Sequence, residues 1–283
     1  MKVGLCTIAF RERLLTDALD IAREVRADGV EIWGREPHVS PLELDRPRAE
    51  AVARMVEARG LELVALGSYH RLGVPEKEEG NVPLTVTLRT AHALRAPLVR
   101  VWAGDLGSDR ATEEDWQRVI AAARLASLQA ETLGLTLLLE MHDDTLTDTG
   151  ATARRMVEEV ACDNVALVYQ PSLGYEAEDP LARLEQVAPF VQHVHAQNAE
   201  PPEHPGEAPR RTLIGRGVVD YRALAGRLAA AGYGGYLQVE FVVGSLAEKV
   251  SAAAADVAYL RSITDRLPAG TPSAPSRAER SEP

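Results

Sequence analysis

Short apolar segments alternate with segments of helical periodicity along most of this chain. Eight of the short segments are apolar on both faces, and polar or glycine-rich stretches separate them. Segments of this kind are typical of strands in a parallel sheet that is covered on both sides. The predicted strands are residues 3–8, 29–33, 61–67, 98–102, 135–140, 165–170, 191–195 and 236–241.

Helical periodicity occupies the intervals between these strands. In residues 13–26, leucine, alanine and valine recur three to four positions apart. Residues 112–133 begin with Thr112, and Asp115 follows three residues later, as in a capping box with Asp in place of Glu. The other predicted helices are residues 41–59, 82–94, 149–160, 180–187, 221–231 and 246–266.

Eight strands that alternate with eight helices predict a single α/β domain, a (β/α)₈ TIM barrel over residues 1–267. An open doubly wound sheet is the alternative, but no glycine-rich dinucleotide fingerprint follows the first strand. Residues 268–283 are rich in proline, serine, alanine and charge. Because they lack the apolar residues that a core requires, we expect a disordered tail there.

Charge and cysteine content narrow the class of protein. The net charge of −11 argues against a nucleic-acid-binding protein, which usually presents a basic surface. Cys6 and Cys162 are far apart and form no CxxC motif, so we expect neither a disulfide scaffold nor a structural zinc site. No signal peptide and no apolar run of membrane-spanning length is visible, so no membrane partner is expected and the predicted location is the cytoplasm.

Polar residues end four of the predicted strands: Glu140, Gln170, His195 and Glu240. In a barrel the carboxyl ends of all strands meet at one mouth, so these four side chains are expected to be neighbours. Their oxygen and nitrogen donors suit one divalent ion such as Mn²⁺, Mg²⁺, Co²⁺ or Zn²⁺. A structural role is the alternative for each, for instance a buried ion pair between Glu140 and Arg100. Of His193 and His195 we expect only one to face the interior, and we choose His195 because it ends its strand.

Several segments resemble the xylose isomerase-like TIM barrels, a group of sugar phosphate isomerases and epimerases. The matching segments are residues 29–33 (GVEIW), 138–140 (LLE), 193–198 (HVHAQN), 215–220 (GRGVVD) and 231–240 (AGYGGYLQVE). The resemblance implies metal ligands of the order Glu, Asp, His, Glu, which fall on Glu140, Gln170, His195 and Glu240. Gln170 departs from that pattern, and a histidine that usually follows shortly after is absent, since Ser172 and Leu173 occupy those positions.

The resemblance implies a metal-dependent isomerase or epimerase that acts on a small sugar, keto-sugar or polyol. Glu140 and Glu240 would then transfer protons through an enediolate intermediate. Five further residues near strand ends or in the following loops are candidates for binding the substrate: Trp33, His70, Trp102, His142 and Arg211. Each has a structural alternative, such as packing for the tryptophans and solvation for Arg211.

Three other functions remain open alongside the isomerase. A dehydratase or lyase would begin with the same proton abstraction and ranks just behind it. A non-catalytic sugar-binding barrel is favoured only by Gln170. An apurinic-site endonuclease ranks last, because this acidic chain has seven histidines and lacks the further ligands that such an enzyme needs. Substrate identity and oligomeric state, including a homo-oligomer, are left undecided.

Overall fold

Eight parallel strands close into a barrel in the computed structural model, which describes residues 1–77, 80–173, 178–201, 203–204 and 207–267. In order around the barrel the strands are β1 (Lys2–Cys6), β2 (Gly29–Trp33), β3 (Glu62–Arg71), β4 (Leu98–Trp102), β5 (Thr136–Glu140), β6 (Val165–Tyr169), β7 (Val191–Ala196) and β10 (Tyr236–Val239). β10 pairs with β1 and closes the ring. The predicted TIM barrel is confirmed.

Each barrel strand is followed by an α-helix, which gives eight α-helices among the described residues. They are α1 (Leu15–Glu24), α2 (Arg46–Glu57), α3 (Leu84–Leu94), α4 (Glu113–Glu131), α5 (Gly150–Val160), α6 (Pro180–Val187), α7 (Tyr221–Ala230) and α8 (Lys249–Thr264). The capping box predicted at Thr112 and Asp115 is present at the start of α4. None of these helices, within the part of the chain that is described, has the length and hydrophobicity needed to cross a membrane.

Most elements differ at one or both ends from the predicted bounds, and the differences at β1, α2 and β3 change the local structure. β1 ends at Cys6, and Thr7–Phe10 forms a 3₁₀ helix. α2 begins at Arg46 instead of residue 41, because the Asp45 side chain accepts a hydrogen bond from the backbone and caps the helix there. β3 continues to Arg71, so residues 68–70 lie within the strand and not beyond it. The predicted tail, residues 268–283, lies outside the described residues.

A short antiparallel hairpin was not predicted from the sequence. It joins β8 (Asn198–Glu200) to β9 (Arg210–Thr212), directly after the carboxyl end of β7. The backbone N–H of Ile214, just after β9, donates to the carboxylate of Asp256 on α8 at 2.7 Å. The segment that follows the hairpin is therefore attached to α8, and the hairpin begins beside the strand end that carries His195.

The buried apolar side chains of the described residues form two separate clusters. The main apolar core lies between the strands and the surrounding helices. A much smaller apolar cluster of Leu138, Ala166 and Val168, with Leu98 packed against it, is separate from that core. The neighbouring positions two residues further along β4, β5 and β6 are Arg100, Glu140 and Gln170, all buried and polar. Since residues two apart on a strand share a face, the barrel interior changes from apolar to polar towards the carboxyl ends.

Candidate active site

The four predicted ligands meet around one ring nitrogen. His195 Nδ1 lies 3.0 Å from Glu140 Oε1, 3.2 Å from Gln170 Oε1 and 3.5 Å from Glu240 Oε1. All four side chains are buried. Barrel closure thus brings together residues that are 100 positions apart in the chain, as the strand-end pattern predicted.

The amide of Gln170 can present either of its atoms to this cluster. With the oxygen facing inward, Oε1 adds a hard donor beside His195 Nδ1. With the amide turned over, the nitrogen donates to Glu140 Oε1 at 3.2 Å and to Glu240 Oε2 at 3.1 Å. The same side chain can therefore bridge two carboxylates or contribute an oxygen ligand to a cation.

Glu140 is surrounded by groups that stabilise its ionised form. Arg100 Nη1 lies 3.2 Å from Glu140 Oε2, so the ion pair considered from the sequence exists. The indole N–H of Trp102 donates to the same carboxylate. Burial by itself raises the pKa of Glu140, but the charge of Arg100 and the hydrogen bond with His195 outweigh it and lower the pKa to about 2.

Glu240 lies in the opposite electrostatic environment. Burial raises its pKa to about 7, and the neighbouring carboxylates of Glu140 and Glu31 act in the same direction. The charges of His195 and Arg211 only partly offset this effect. A carboxyl group with a pKa near neutrality can both accept and return a proton, which is the property that a general base requires.

Glu31, on β2, lies on the other side of the His195 ring. Its Oε2 is 2.9 Å from His195 Nε2 and 2.8 Å from His193 Nε2. Burial opposes ionisation of Glu31, yet the two imidazoles hold its pKa well below the usual value. The pKa of His195 is raised well above its usual value, because Glu31 and Glu240 outweigh the effect of burial.

The expectation that only one of the two histidines faces the interior is wrong. Residues two apart on a strand point to the same side, and both rings contact the same Glu31 oxygen. Glu31 itself was not predicted as a site residue, because it lies inside its strand and not at the strand end. The available signal was a carboxylate within the apolar strand Gly29–Trp33. Gly67 leaves room for it, since a Cβ there would lie 2.5 Å from Glu31 Oε1.

The two candidate tryptophans pack close to polar side chains of the mouth. Trp102, besides its bond to Glu140, has its ring 5.1 Å from the ring of His142 between centres. Trp33 Nε1 donates to the hydroxyl of Tyr69 at 2.8 Å. Trp102 therefore links His142 to the carboxylate cluster, while Trp33 belongs to a neighbouring group on β2 and β3.

A cavity of about 280 Å³ opens beside Gln170. Its lining includes two of the five candidate substrate residues, His142 and Arg211. Arg211 Nη1 donates to Gln197, and its guanidinium stacks on Phe241 with 3.8 Å between the guanidinium carbon and the ring centre. Arg211 is thus held in place at the rim of the cavity.

His70 is not part of this cavity. It is buried, and its Nδ1 donates to the backbone oxygen of Val82 at 2.8 Å. A larger concavity of about 790 Å³ lies on the outer face between α2 and α3. It contains none of the four predicted ligands, whereas the smaller cavity is lined by Gln170.

Comparison with known proteins agrees with this architecture. The sequence profile of the family described as "Xylose isomerase-like TIM barrel" matches residues 19–263. The chain belongs to the xylose isomerase-like TIM barrel family. It is 27% identical over 203 residues to a 3-dehydroshikimate dehydratase of Bacillus anthracis, covering 70% of this chain and 72% of that protein. It is 21% identical over 266 residues to a fructoselysine 3-epimerase of Escherichia coli O157:H7, covering 86% and 90%.

A solved structure of the same family shares the fold. The xylose isomerase-like TIM barrel protein from Mycobacterium smegmatis, in complex with magnesium, superposes with a TM-score of 0.71 at 19% identity. The alignment covers 93% of this chain and 96% of that one. In this chain, ligand atoms of Glu140, His195 and Glu240 lie within 4.8 Å of one another. Two carboxylates, an imidazole and a neighbouring amide fit a divalent ion of the Mg²⁺, Mn²⁺ or Zn²⁺ type.

Proposed function

We propose that this chain is a metal-dependent lyase that removes water from a small hydroxylated keto compound, with Glu240 as the single proton-transferring base. The observation that carries the proposal is the difference between the two glutamates. Glu140 is paired with Arg100 at 3.2 Å and accepts a hydrogen bond from Trp102, whereas Glu240 lies against His195 at 3.5 Å and near other carboxylates, and its burial raises its pKa. Because Glu140 is held in this ion pair, Glu240 is the carboxylate left to act as the proton-transferring base.

A one-base dehydration uses this difference in two steps. Glu240 takes the proton from the carbon next to the substrate carbonyl, and the electron pair of that C–H bond moves towards the carbonyl. The β-hydroxyl then leaves, and the proton held by Glu240 returns to it, so that a C=C bond and water are formed. Epimerisation instead requires an acid on the opposite face, and Glu140 is held as a carboxylate by its ion pair with Arg100 and the hydrogen bond from Trp102.

The proposed ligands of the ion are Glu140, Gln170, His195 and Glu240. A divalent ion held there would polarise the carbonyl of the substrate and acidify the neighbouring C–H bond. His142 and Arg211 line the adjoining cavity and are placed to hydrogen-bond hydroxyl or carboxylate oxygens of the substrate. The likeness to a dehydratase and the magnesium complex of a family member both support this assignment.

Epimerase activity is the second candidate. Its support is the similarity to fructoselysine 3-epimerase and the presence of two glutamates within hydrogen-bond distance of Gln170. The sequence alone ranked it first. The asymmetry between Glu140 and Glu240 reverses that order in our proposal.

The test is a direct comparison of two substrates in D₂O with Mn²⁺. One is 3-dehydroshikimate, whose dehydration produces an aromatic ring and a new ultraviolet absorbance, and the other is a ketohexose. We expect dehydration of the hydroxy-keto acid, or of related keto compounds in a panel, without deuterium entering the ketohexose. Deuterium at carbon 3 of the ketose together with an epimeric product would show that the enzyme is an epimerase.

A further inference from the structure

Glu31 is a carboxylate for which the proposed reaction has no use. It is 4% exposed and lies in the middle of β2, inside the barrel and below the mouth. A buried carboxylate is costly unless it is fully hydrogen-bonded, so its partners indicate why the position is kept polar. These partners are His193 and His195, at 2.8 and 2.9 Å.

The contact with Glu31 determines where His195 carries its proton. An ionised carboxylate only accepts hydrogen bonds, so Nε2 of His195 must be the N–H that donates to Glu31. In a neutral ring the lone pair is then on Nδ1. Nδ1 is the atom that faces Glu140, Gln170 and Glu240.

Without the contact to Glu31, hydrogen bonds at Nδ1 would favour the tautomer that carries its proton on Nδ1. Glu140 at 3.0 Å and Glu240 at 3.5 Å can accept a hydrogen bond there, and Gln170 can accept one at 3.2 Å when its amide oxygen faces the ring. A proton on Nδ1 would satisfy those acceptors and remove the lone pair that a metal ion needs. The hydrogen bond from Nε2–H to Glu31 opposes this shift of the proton to Nδ1.

We propose that Glu31 is a positioning residue that holds the Nε2–H of His195, so that Nδ1 is kept as a metal ligand. The inference rests on the metal site of the proposed function. Carboxylates that hydrogen-bond the second nitrogen of a ligand histidine typically change metal affinity by about 10–100-fold when they are removed.

A second metal site is the competing explanation for the same residues. Cys6, Glu31 and His195 also offer three ligand atoms within 4.8 Å of one another. However, Glu31 Oε2 already accepts from two imidazoles. His195 Nε2 cannot both donate to Glu31 and bind an ion, so the two explanations predict different stoichiometries: one ion per chain for positioning and two for a second site.

The experiment combines nitrogen NMR of the histidine rings with calorimetric titration of Mn²⁺ and Zn²⁺. Spectra of chelator-treated protein should show a slowly exchanging, hydrogen-bonded Nε2–H for His195, which is present whether the ring is neutral or charged. Glu31→Met has similar volume but cannot accept the bond, so this signal should disappear and metal affinity should fall about 10–100-fold. Glu31→Gln retains an acceptor oxygen and should restore most of both.

His193→Gln is the matched control, because it alters the other partner of Glu31 and leaves His195 in place. It should keep the His195 signal and bind metal within about threefold of wild type. The inference fails if wild type lacks an Nε2–H at His195, if Glu31→Met leaves signal and affinity unchanged, or if His193→Gln weakens binding equally. Two ions in wild type and one in Glu31→Met would establish the second metal site instead.

The proposed function can fail separately. If wild type binds no metal at all, the lyase proposal is overturned together with the ligand role of Nδ1. In that case loss of the Nε2–H signal in Glu31→Met would still establish the bond between Glu31 and His195, so the two failures are distinguishable.

Discussion

Glu140 and Glu240 are chemically identical side chains, but their neighbours shift the pKa values of their carboxyl groups in opposite directions. Glu140 has Arg100, Trp102 and His195 around it, whereas Glu240 lies against His195 and close to other carboxylates. Desolvation is common to both, so the difference arises from the charges and donors that each strand end provides. At the scale of single residues, this difference underlies the proposed one-base chemistry.

Exchanging each glutamate for glutamine should therefore have different effects. Glu240→Gln should abolish dehydration of the substrate, a loss of about 10²–10⁴-fold, because the base is removed while the amide oxygen can still face the ion. Glu140→Gln should mainly weaken metal binding, since it removes a charged ligand. The ultraviolet absorbance of the dehydrated product and metal titration on both variants measure the two effects, and near-normal dehydration by Glu240→Gln would remove that residue from the mechanism.

Gln170 should tune the affinity of the metal site. Asp at this position would add a negative ligand, so Gln170→Asp should bind Mn²⁺ more tightly, by about tenfold or more. The amide nitrogen of Gln170 can bridge Glu140 and Glu240, and a third carboxylate cannot. The melting temperature of Gln170→Asp should accordingly fall below that of wild type in chelator and rise above it in Mn²⁺.

The metal affinities of wild type and Gln170→Asp distinguish two other outcomes. If Gln170→Asp binds no more tightly than wild type, Gln170 is not a ligand and the carry-over from the family pattern is wrong there. If wild type binds nothing at millimolar metal while the variant binds well, the site has been switched off, and the non-catalytic barrel becomes the better hypothesis.

At the scale of single elements, some were predicted with their bounds and others were missed. The bounds of β2, β4 and α6 agree with the prediction, because apolar segments and a proline-initiated helix leave clear limits. The hairpin of β8 and β9 was missed, since its short polar strands carry no apolar pattern. Its attachment depends on Asp256, which lies on α8, and such a long-range contact has no local signature.

Asp256 should make the stability of this attachment depend on pH. Burial raises its pKa to about 6, only partly offset by the hydrogen bond from Ile214. In the unfolded chain the pKa is near the ordinary value of 3.8, so the folded state loses stability relative to the unfolded state as the pH rises from about 4 to 6. Asp256→Asn keeps an acceptor oxygen and should be more stable than wild type above pH 7, by about 1–3 kcal/mol.

Urea unfolding at pH 4.5 and pH 7.5 checks this expectation. The advantage of Asp256→Asn should be small at the lower pH and reach its full size at the higher one. Asp265→Asn, at the exposed end of the same helix, is the control and should change far less between the two values. An Asp256→Asn variant that is less stable than wild type at pH 7.5 would contradict the predicted sign of the effect.

At the scale of the whole molecule, barrel closure creates the site. The order of strands and helices predicted the fold, and the fold then predicted that Glu140, Gln170, His195 and Glu240 would meet. The sequence did not predict how far polar side chains extend from the mouth into the barrel. Glu31 lies mid-strand, and its contact with His195 spans 164 positions of the chain, which no local pattern encodes.

Residues 268–283 should be dispensable for the barrel. Their composition, beginning Pro268, Ala269, Gly270, Thr271 and Pro272, lacks an apolar period. The closing helix α8 ends before them, at Thr264. A chain truncated after Leu267 should keep the melting temperature and metal content of the full protein, and a clear loss of either would mean that the tail packs on the barrel.

The most direct test of the proposed metal site is the number of Mn²⁺ ions that the chelator-treated protein takes up by titration calorimetry. The cluster around His195 Nδ1 predicts one ion per chain in wild type, bound reversibly, and none of comparable affinity in His195→Ala. His193→Ala, on the same strand, should retain the ion. No binding to wild type, or binding that persists when His195 is removed, would contradict the claim that these strand ends form a metal site.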